Sequence, residues 1–161
     1  MATEILNGVR NNYGPQSSEN LLPGENKTFG NVKSMIIDFA WDDLPTYSAD
    51  GSRVREIPAD SLIVGAKIHA GVAMSGTSGT FIIGLYESDS TVIDADGLFQ
   101  VGETTQAALT EDAWLIGSAG ELLPNVSIGA AAGQVVVAGG GTITGGEFRL
   151  IVDYIEPTPA T

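Results

Sequence analysis

The sequence predicts an all-β protein, an antiparallel β-sandwich with a jelly roll as its expected form and an extended N-terminal arm. From residue 33 onward, short runs of alternating apolar and polar residues recur, which is the period of half-buried strands. The 21 glycines and 7 prolines supply turns between such strands. A chain of 161 residues with 43% apolar content can bury one core. Almost no helical pattern interrupts the strands, so a single sandwich is the expected architecture.

Residues 1–32 differ from the rest of the chain. They are rich in Asn, Gly, Pro and Ser and show neither a strand period nor a helix period. A flexible linker would rarely carry large apolar side chains, yet this segment contains Ile5, Leu6, Tyr13, Leu21, Leu22 and Phe29. We therefore predict an arm over 1–32 whose apolar residues contact either their own domain or a neighbouring subunit. A partly disordered terminus is the alternative. The sandwich domain is expected over 33–156, followed by a tail over 157–161.

Two long alternations dominate the first half of the domain. The first, over 33–41, predicts a strand with one apolar face and places Trp41 in the core. A short strand is expected over 53–57, ended by Pro58. The second alternation, over 62–74, exceeds the usual strand length and predicts a bend or bulge near Gly65 or Gly71. We interpret Ser75–Gly79 as the turn of a hairpin that leads into a strand over 81–86.

The second half is less regular. Residues 87–97 are predicted to form an acidic loop, followed by a weakly structured stretch up to residue 110. The run 104–117 could form a short helix with Thr105 or Thr110 as its N-cap. A β-rich run over 134–138 is expected to turn at Gly139–Gly141, and the last strand covers 148–154. The predicted core consists of Met35, Ile37, Phe39, Leu62, Val64, Ile68, Phe81, Ile83, Leu85, Phe148, Leu150 and Val152.

The net charge of −13 limits the classes of partner. Nucleic acid and anionic membrane surfaces would repel such a chain. The charge suits high solubility or docking onto a basic partner surface. The first residues lack the apolar region of a signal peptide, and no apolar run reaches the length of a membrane span. The absence of cysteine excludes disulfides, thiolate metal sites and cysteine nucleophiles.

No catalytic constellation is visible. His69 is the sole histidine and lies mid-strand, so we expect it on the solvent face or at an interface. One imidazole cannot supply a histidine metal site. The acidic loop with Glu87, Asp89, Asp94 and Asp96 could supply oxygen ligands to calcium, but it lacks EF-hand spacing. A solvated acidic turn is favoured, with calcium as the open alternative. We expect no catalytic residue, no metal site and no cofactor, and we predict that the chain is not an enzyme.

The string IPADSLIVGAKIHAGVAMSGTSGTFIIGLYESDSTVIDADGLF, residues 57–99, resembles a recurrent type of small structural protein of tailed bacteriophages. The final segment, Gly140 to Ile155, is similar to the closing hairpin of the same proteins. The resemblance covers about residues 35–155 and rests on pattern and short strings. It implies a capsid decoration or cement protein, trimeric, on the outer surface of the virion head and assembled in the host cytoplasm. The implied partners are the major capsid protein and further copies of the chain.

A different class of function remains open beside this one. A carbohydrate- or receptor-binding module of a phage tail or head fibre would use exposed aromatic side chains. The candidates are Trp41, Tyr47, Tyr86 and Trp114.

Overall fold

A computed structural model describes the backbone of residues 2–6 and 9–13 and the complete residues 32–46, 56–118 and 120–156. The predicted class is confirmed, because the regular elements in these ranges are antiparallel strands. None of the described residues forms a helix that is long and apolar enough to cross a membrane. The strands are β1 (Ala2–Leu6), β2 (Val9–Tyr13), β3 (Lys33–Ala40), β4 (Glu56–Ile57), β5 (Leu62–Tyr86), β6 (Val92–Thr105), β7 (Trp114–Ile116), β8 (Val126–Ser127) and β9 (Gly133–Ile155).

Strands β1 and β2 pair with each other as an antiparallel hairpin. This hairpin lies inside the segment for which the sequence showed no strand period. Ile5, Leu6 and Tyr13 belong to its two strands, whereas Leu21, Leu22 and Phe29 lie outside the described residues. The division of the chain into arm, domain and tail, and the contacts expected of the arm, stay predictions.

A long ribbon formed by β5 and β9 organises the domain. The two strands have 25 and 23 residues and pair antiparallel from end to end. The predicted hairpin at Ser75–Gly79 is therefore wrong, and so is the predicted turn at Gly139–Gly141. At these points the ribbon bends without reversing, through register shifts between residues 72 and 80 of β5. Gly141 has a φ of 70°, a conformation open to glycine at little cost, which lets β9 follow the bend.

The bend folds the sheet into two layers. The first layer contains β3, β7, β8, the N-terminal half of β5 and the C-terminal half of β9. The second contains β4, β6 and the remaining halves of β5 and β9. Phe81 of the second layer contacts Phe148 and Phe39 of the first, with ring centroids 4.9 and 5.7 Å apart. Two layers that pack face to face make the predicted sandwich.

Most of the predicted core is confirmed, and the main difference is that Leu62 and Val64 are not fully buried. Leu62 and Val64 are only partly buried, while Ile63 between them is fully buried. The reason is a register shift between Ile63 and Gly65, which changes the face to which each side chain points. A second shift follows Ala70, so the predicted irregularities near Gly65 and Gly71 are both present. Ile37 packs against the core from a partly buried position. The buried members are Met35, Phe39, Ile68, Phe81, Ile83, Leu85, Phe148, Leu150 and Val152.

The region after the predicted hairpin also differs from expectation. Strand β6 covers the second part of the predicted acidic loop and the first part of the stretch predicted to be weakly structured, and it buries Leu98 and Phe99 completely. The run 104–117 contains turns and strand β7 in place of the possible helix. Backbone bonds to β5 explain this, since Met74 N donates to Leu109 O and Ala70 N donates to Ala113 O. Pairing with a neighbouring strand outweighs the helix propensity of an alanine-containing segment.

Candidate docking surface

The solvent side of the first layer carries two complete rows of side chains across four strands. Residues directly opposite each other on paired strands share a face. The register aligns Ile36 with Ile151, Lys67 and Ile116, and it aligns Asp38 with Arg149, His69 and Trp114. We call these eight residues the outer face. The residues between the rows, such as Leu150 and Ile68, point into the core.

Large apolar side chains are exposed on the outer face. Ile36 is 47% exposed, Trp114 53% and Ile116 75%. The indole of Trp114 lies against the His69 ring, with centroids 4.6 Å apart and planes tilted by 33°. Val72, in the next row, is exposed as well. An apolar group of this kind on a sheet, with an aromatic anchor, has the composition of a protein contact surface.

Three charged residues of the outer face form ion pairs within the first layer. Arg149 holds Asp38 through two bonds, from Nε to Oδ1 at 2.7 Å and from Nη2 to Oδ2 at 3.0 Å. The Arg149 hydrogen bond lowers the pKa of Asp38, and the same bond raises the pKa of Arg149. Lys67 Nζ lies 3.2 Å from Oδ2 of Asp153. In a chain of net charge −13, this face is close to neutral.

One end of the outer face is bordered by acids. Asp42 and Asp43 follow the end of β3, and Glu147 lies opposite Ala40, at the start of the part of β9 that pairs with β3. Glu111 and Asp112 precede β7 at the same end, where Asp112 N donates to Ala70 O. All five are exposed. The three lysine and arginine side chains in the described ranges lie on β3, β5 and β9, and each is within ion-pair distance of an acid. We call these five acids the acidic end.

The structure places the candidate residues of the sequence in different surroundings. His69 lies on the outer face as expected, and its Nε2 is 3.9 Å from Oδ1 of Asp112. The imidazole therefore faces an indole and a carboxylate. Trp41 was expected in the core but is 39% exposed, because β3 ends at Ala40 and Trp41 N donates to Gly146 O. Tyr86 is partly buried, and Tyr47 lies outside the described residues.

The exposed isoleucines of this surface are not among the candidates predicted from the sequence. Ile36 and Ile116 lie on the same face as charged residues. In the sequence each is adjacent to an apolar residue that packs against the core, Ile37 and Leu115 respectively. The signal that could have pointed to Ile36 is an isoleucine on the polar side of a strand, between Ser34 and Asp38. Their proximity depends on the register of four strands that are distant in sequence.

The acidic loop of the sequence is divided between a turn and β6. Thr91 N donates to Asp89 Oδ1 at 2.9 Å, and Asp96 N donates to Asp94 Oδ1 at 3.2 Å. These are local Asx-type bonds that close the chain on itself. Within the ranges whose side chains are described, no three acidic or histidine side chains are grouped so that they could hold a metal ion.

Asp94→Asn is expected to raise the melting temperature at pH 7 by about 1–2 °C. Burial raises the pKa of Asp94 in the folded state. An acid with a raised pKa reduces stability as pH rises above its ordinary value of 3.8, so neutralising it stabilises above that pH and has little effect below it. Asp89→Asn should lower the melting temperature at pH 7, because hydrogen bonds from Thr91 lower the pKa of Asp89 and so stabilise its charged form in the folded state. Thermal unfolding of both variants at pH 3 and pH 7 checks the signs, and equal signs at pH 7 would contradict them.

A shallow groove of about 680 Å³ opens beside the bend of the ribbon. It is lined by small and polar residues and contains no aromatic ring. Its lining consists of Ser78, Gly79, Thr80, Val101, Gly102, Thr105, Gln106 and Ala107.

The similarity of this chain to known proteins lies in its fold. No protein-family model matches the sequence, and no curated protein is significantly similar to it. The chain is similar to a chain in the solved capsid of Ralstonia phage GP4, with 15% identity over 82% of this chain and 88% of that one, at a TM-score of 0.50. It is also similar to a chain in the capsid asymmetric unit of cyanophage Pam1, with 20% identity over 89% and 98%, at a TM-score of 0.47. The likeness to the GP4 chain shows a shared fold.

Proposed function

We propose that the chain is a structural protein of a tailed-phage virion, a decoration or cement protein that binds the outer capsid surface and stabilises the head. The major capsid protein is its proposed partner, with a homotrimer as the bound form, and the chain is assembled into the virion in the host cytoplasm without acting as an enzyme. The observation that carries the proposal is the outer face, on which exposed apolar side chains lie beside charges that are already paired. Such a surface is built to contact protein.

Two further observations support the proposal. The strings over residues 57–99 and 140–155 resemble tailed-phage structural proteins, and the fold is shared with a chain of a phage capsid. The strong negative charge also suits a position outside the capsid shell, since it would repel packaged DNA. We further propose that Ile5, Leu6, Tyr13, Leu21, Leu22 and Phe29 of the arm contact the capsid or a neighbouring subunit.

The purified chain should bind emptied phage heads prepared without it and raise their disruption temperature. Bound protein is measured by co-sedimentation, and head disruption by light scattering during heating. A version lacking residues 1–32 is expected to bind more weakly, because the proposed arm contacts are lost. Heads that neither bind the chain nor gain thermal stability would refute the decoration role, whereas full binding by the truncated version would refute the arm contacts alone.

Carbohydrate or receptor binding is the second candidate. The observation in its favour is the exposed indole of Trp114, flanked by His69 and Asp112. A glycan array distinguishes the two functions, since a decoration protein should bind heads with no dependence on added sugar. Glycan binding without head binding would favour the second candidate.

A further inference from the structure

We infer that the outer face is the surface that contacts the capsid, that Trp114 and Ile116 are its energetic centre, and that the capsid partner presents an apolar patch bordered by cationic side chains. This inference rests on the proposed function, and it adds the surface, the central residues and the chemistry of the partner.

Strand β7 is well placed to carry most of the binding energy. Leu115 packs against the core between Trp114 and Ile116, so the two exposed side chains project from an anchored strand. The stack on His69 limits the freedom of the Trp114 indole before binding. A side chain that is already ordered loses less entropy when a partner covers it. Tryptophan is also among the residues that dominate binding energy at interfaces.

Because the charges of the outer face are paired, a partner can cover this face without leaving a buried charge unpaired. Burying an unpaired charge is strongly unfavourable, whereas a charge that keeps its partner is tolerated better. Arg149 keeps both bonds to Asp38, and Lys67 keeps its contact with Asp153, if a partner lies over them. An apolar patch on the partner therefore fits the centre of this face.

The acidic end indicates which charge the partner carries at the border of its contact surface. Five exposed acids there include Asp42, Asp43 and Glu147, and the described cations nearby are already bound to acids. A second copy of this chain would bring its own negative charge to this end, which disfavours it as the occupant. A partner with cationic side chains at this border would gain attraction and be guided during approach.

The central residues are tested with Trp114→Ala and Ile116→Asp. Both positions are exposed, so thermal unfolding should change little, while affinity for emptied heads should fall at least tenfold. Val101→Asp is the matched control, because Val101 is 66% exposed but lies on β6 of the second layer. The control should bind like the unmodified chain.

The outcomes separate this inference from the proposed function. If the unmodified chain binds heads and both β7 variants bind equally well, the outer face is not the contact and the inference is overturned. It is also overturned if the variants lose self-association or glycan binding while head binding stays intact. If the unmodified chain does not bind heads, the decoration role itself fails, and the inference fails with it.

The partner chemistry is tested with charge. The association rate with heads should fall as salt concentration rises, and the triple variant Asp42→Asn, Asp43→Asn, Glu147→Gln should associate severalfold more slowly with a weaker salt dependence. The control variant Asp60→Asn, Glu87→Gln, Glu121→Gln removes the same formal charge away from the acidic end. Equal rates for the two triple variants would overturn the cationic border.

Discussion

Phe81→Ala is expected to lower the free energy of unfolding by about 3–5 kcal/mol, which is the usual cost of truncating a buried phenylalanine. Phe81 is fully buried and lies edge-on to Phe148 and Phe39. These rings belong to opposite layers, so the substitution opens a cavity where the two halves of the sheet meet. Urea unfolding followed by intrinsic fluorescence gives the change.

Phe81→Leu and Val101→Ala are the controls for this result. Leucine fills much of the cavity, so its effect should be clearly smaller than that of alanine. Val101 is exposed on β6, and its truncation should change the free energy by no more than about 0.5 kcal/mol. A loss below about 1 kcal/mol for Phe81→Ala would contradict the packing of the two layers through this ring.

Gly84→Ala is expected to destabilise the fold by about 1–3 kcal/mol or more, because it overpacks a closed site. A Cβ atom at Gly84 would lie 2.1 Å from the carbonyl oxygen of Asp94 and 2.3 Å from the carbonyl carbon of Ala95. Both contacts are backbone atoms of β6, which cannot rotate away as a side chain could. Strand β6 is irregular at this point, since Ile83 pairs with Phe99 and Leu85 with Asp94.

Gly65→Ala provides the matched control on the same strand. A Cβ atom there meets nothing within 4 Å, so alanine should be tolerated with a change within about 0.5 kcal/mol. Thermal and urea unfolding of the two variants side by side measure the difference. If both variants had the same stability, the close passage of β6 over Gly84 would be wrong.

The regular strands could be predicted from local pattern alone. Strand β3 and the C-terminal part of β9 each have one apolar face, and their buried residues Met35, Phe39, Phe148 and Leu150 were identified correctly. The ribbon bends could not be predicted in the same way. A run of small residues such as Ser75–Gly79 allows the chain either to reverse in a hairpin turn or to bend within one strand. Which of the two forms depends on whether β9 continues to pair alongside it.

Strand β6 and the outer face show a second limit of local reasoning. Asp94, Asp96 and Gly97 have low strand propensity. They nevertheless lie in strand β6, because β6 pairs with the edge of β5. The exposed Trp114 was named from the sequence as a candidate for binding. Asp38 and Arg149, which lie in the same row, are not predicted from the sequence, because they are distant from Trp114 along the chain.

The amino-acid sequence alone is enough to predict the all-β class, most of the core and a surface charge that disfavours nucleic acid and anionic membranes. These properties follow from composition and from the two-residue period of each strand, and both are local. The path of β5 and β9 through their small-residue segments, as one bent ribbon, is known only from the folded structure. The same holds for the shared face of Ile36, Arg149 and Trp114, since strand register depends on pairing between distant segments.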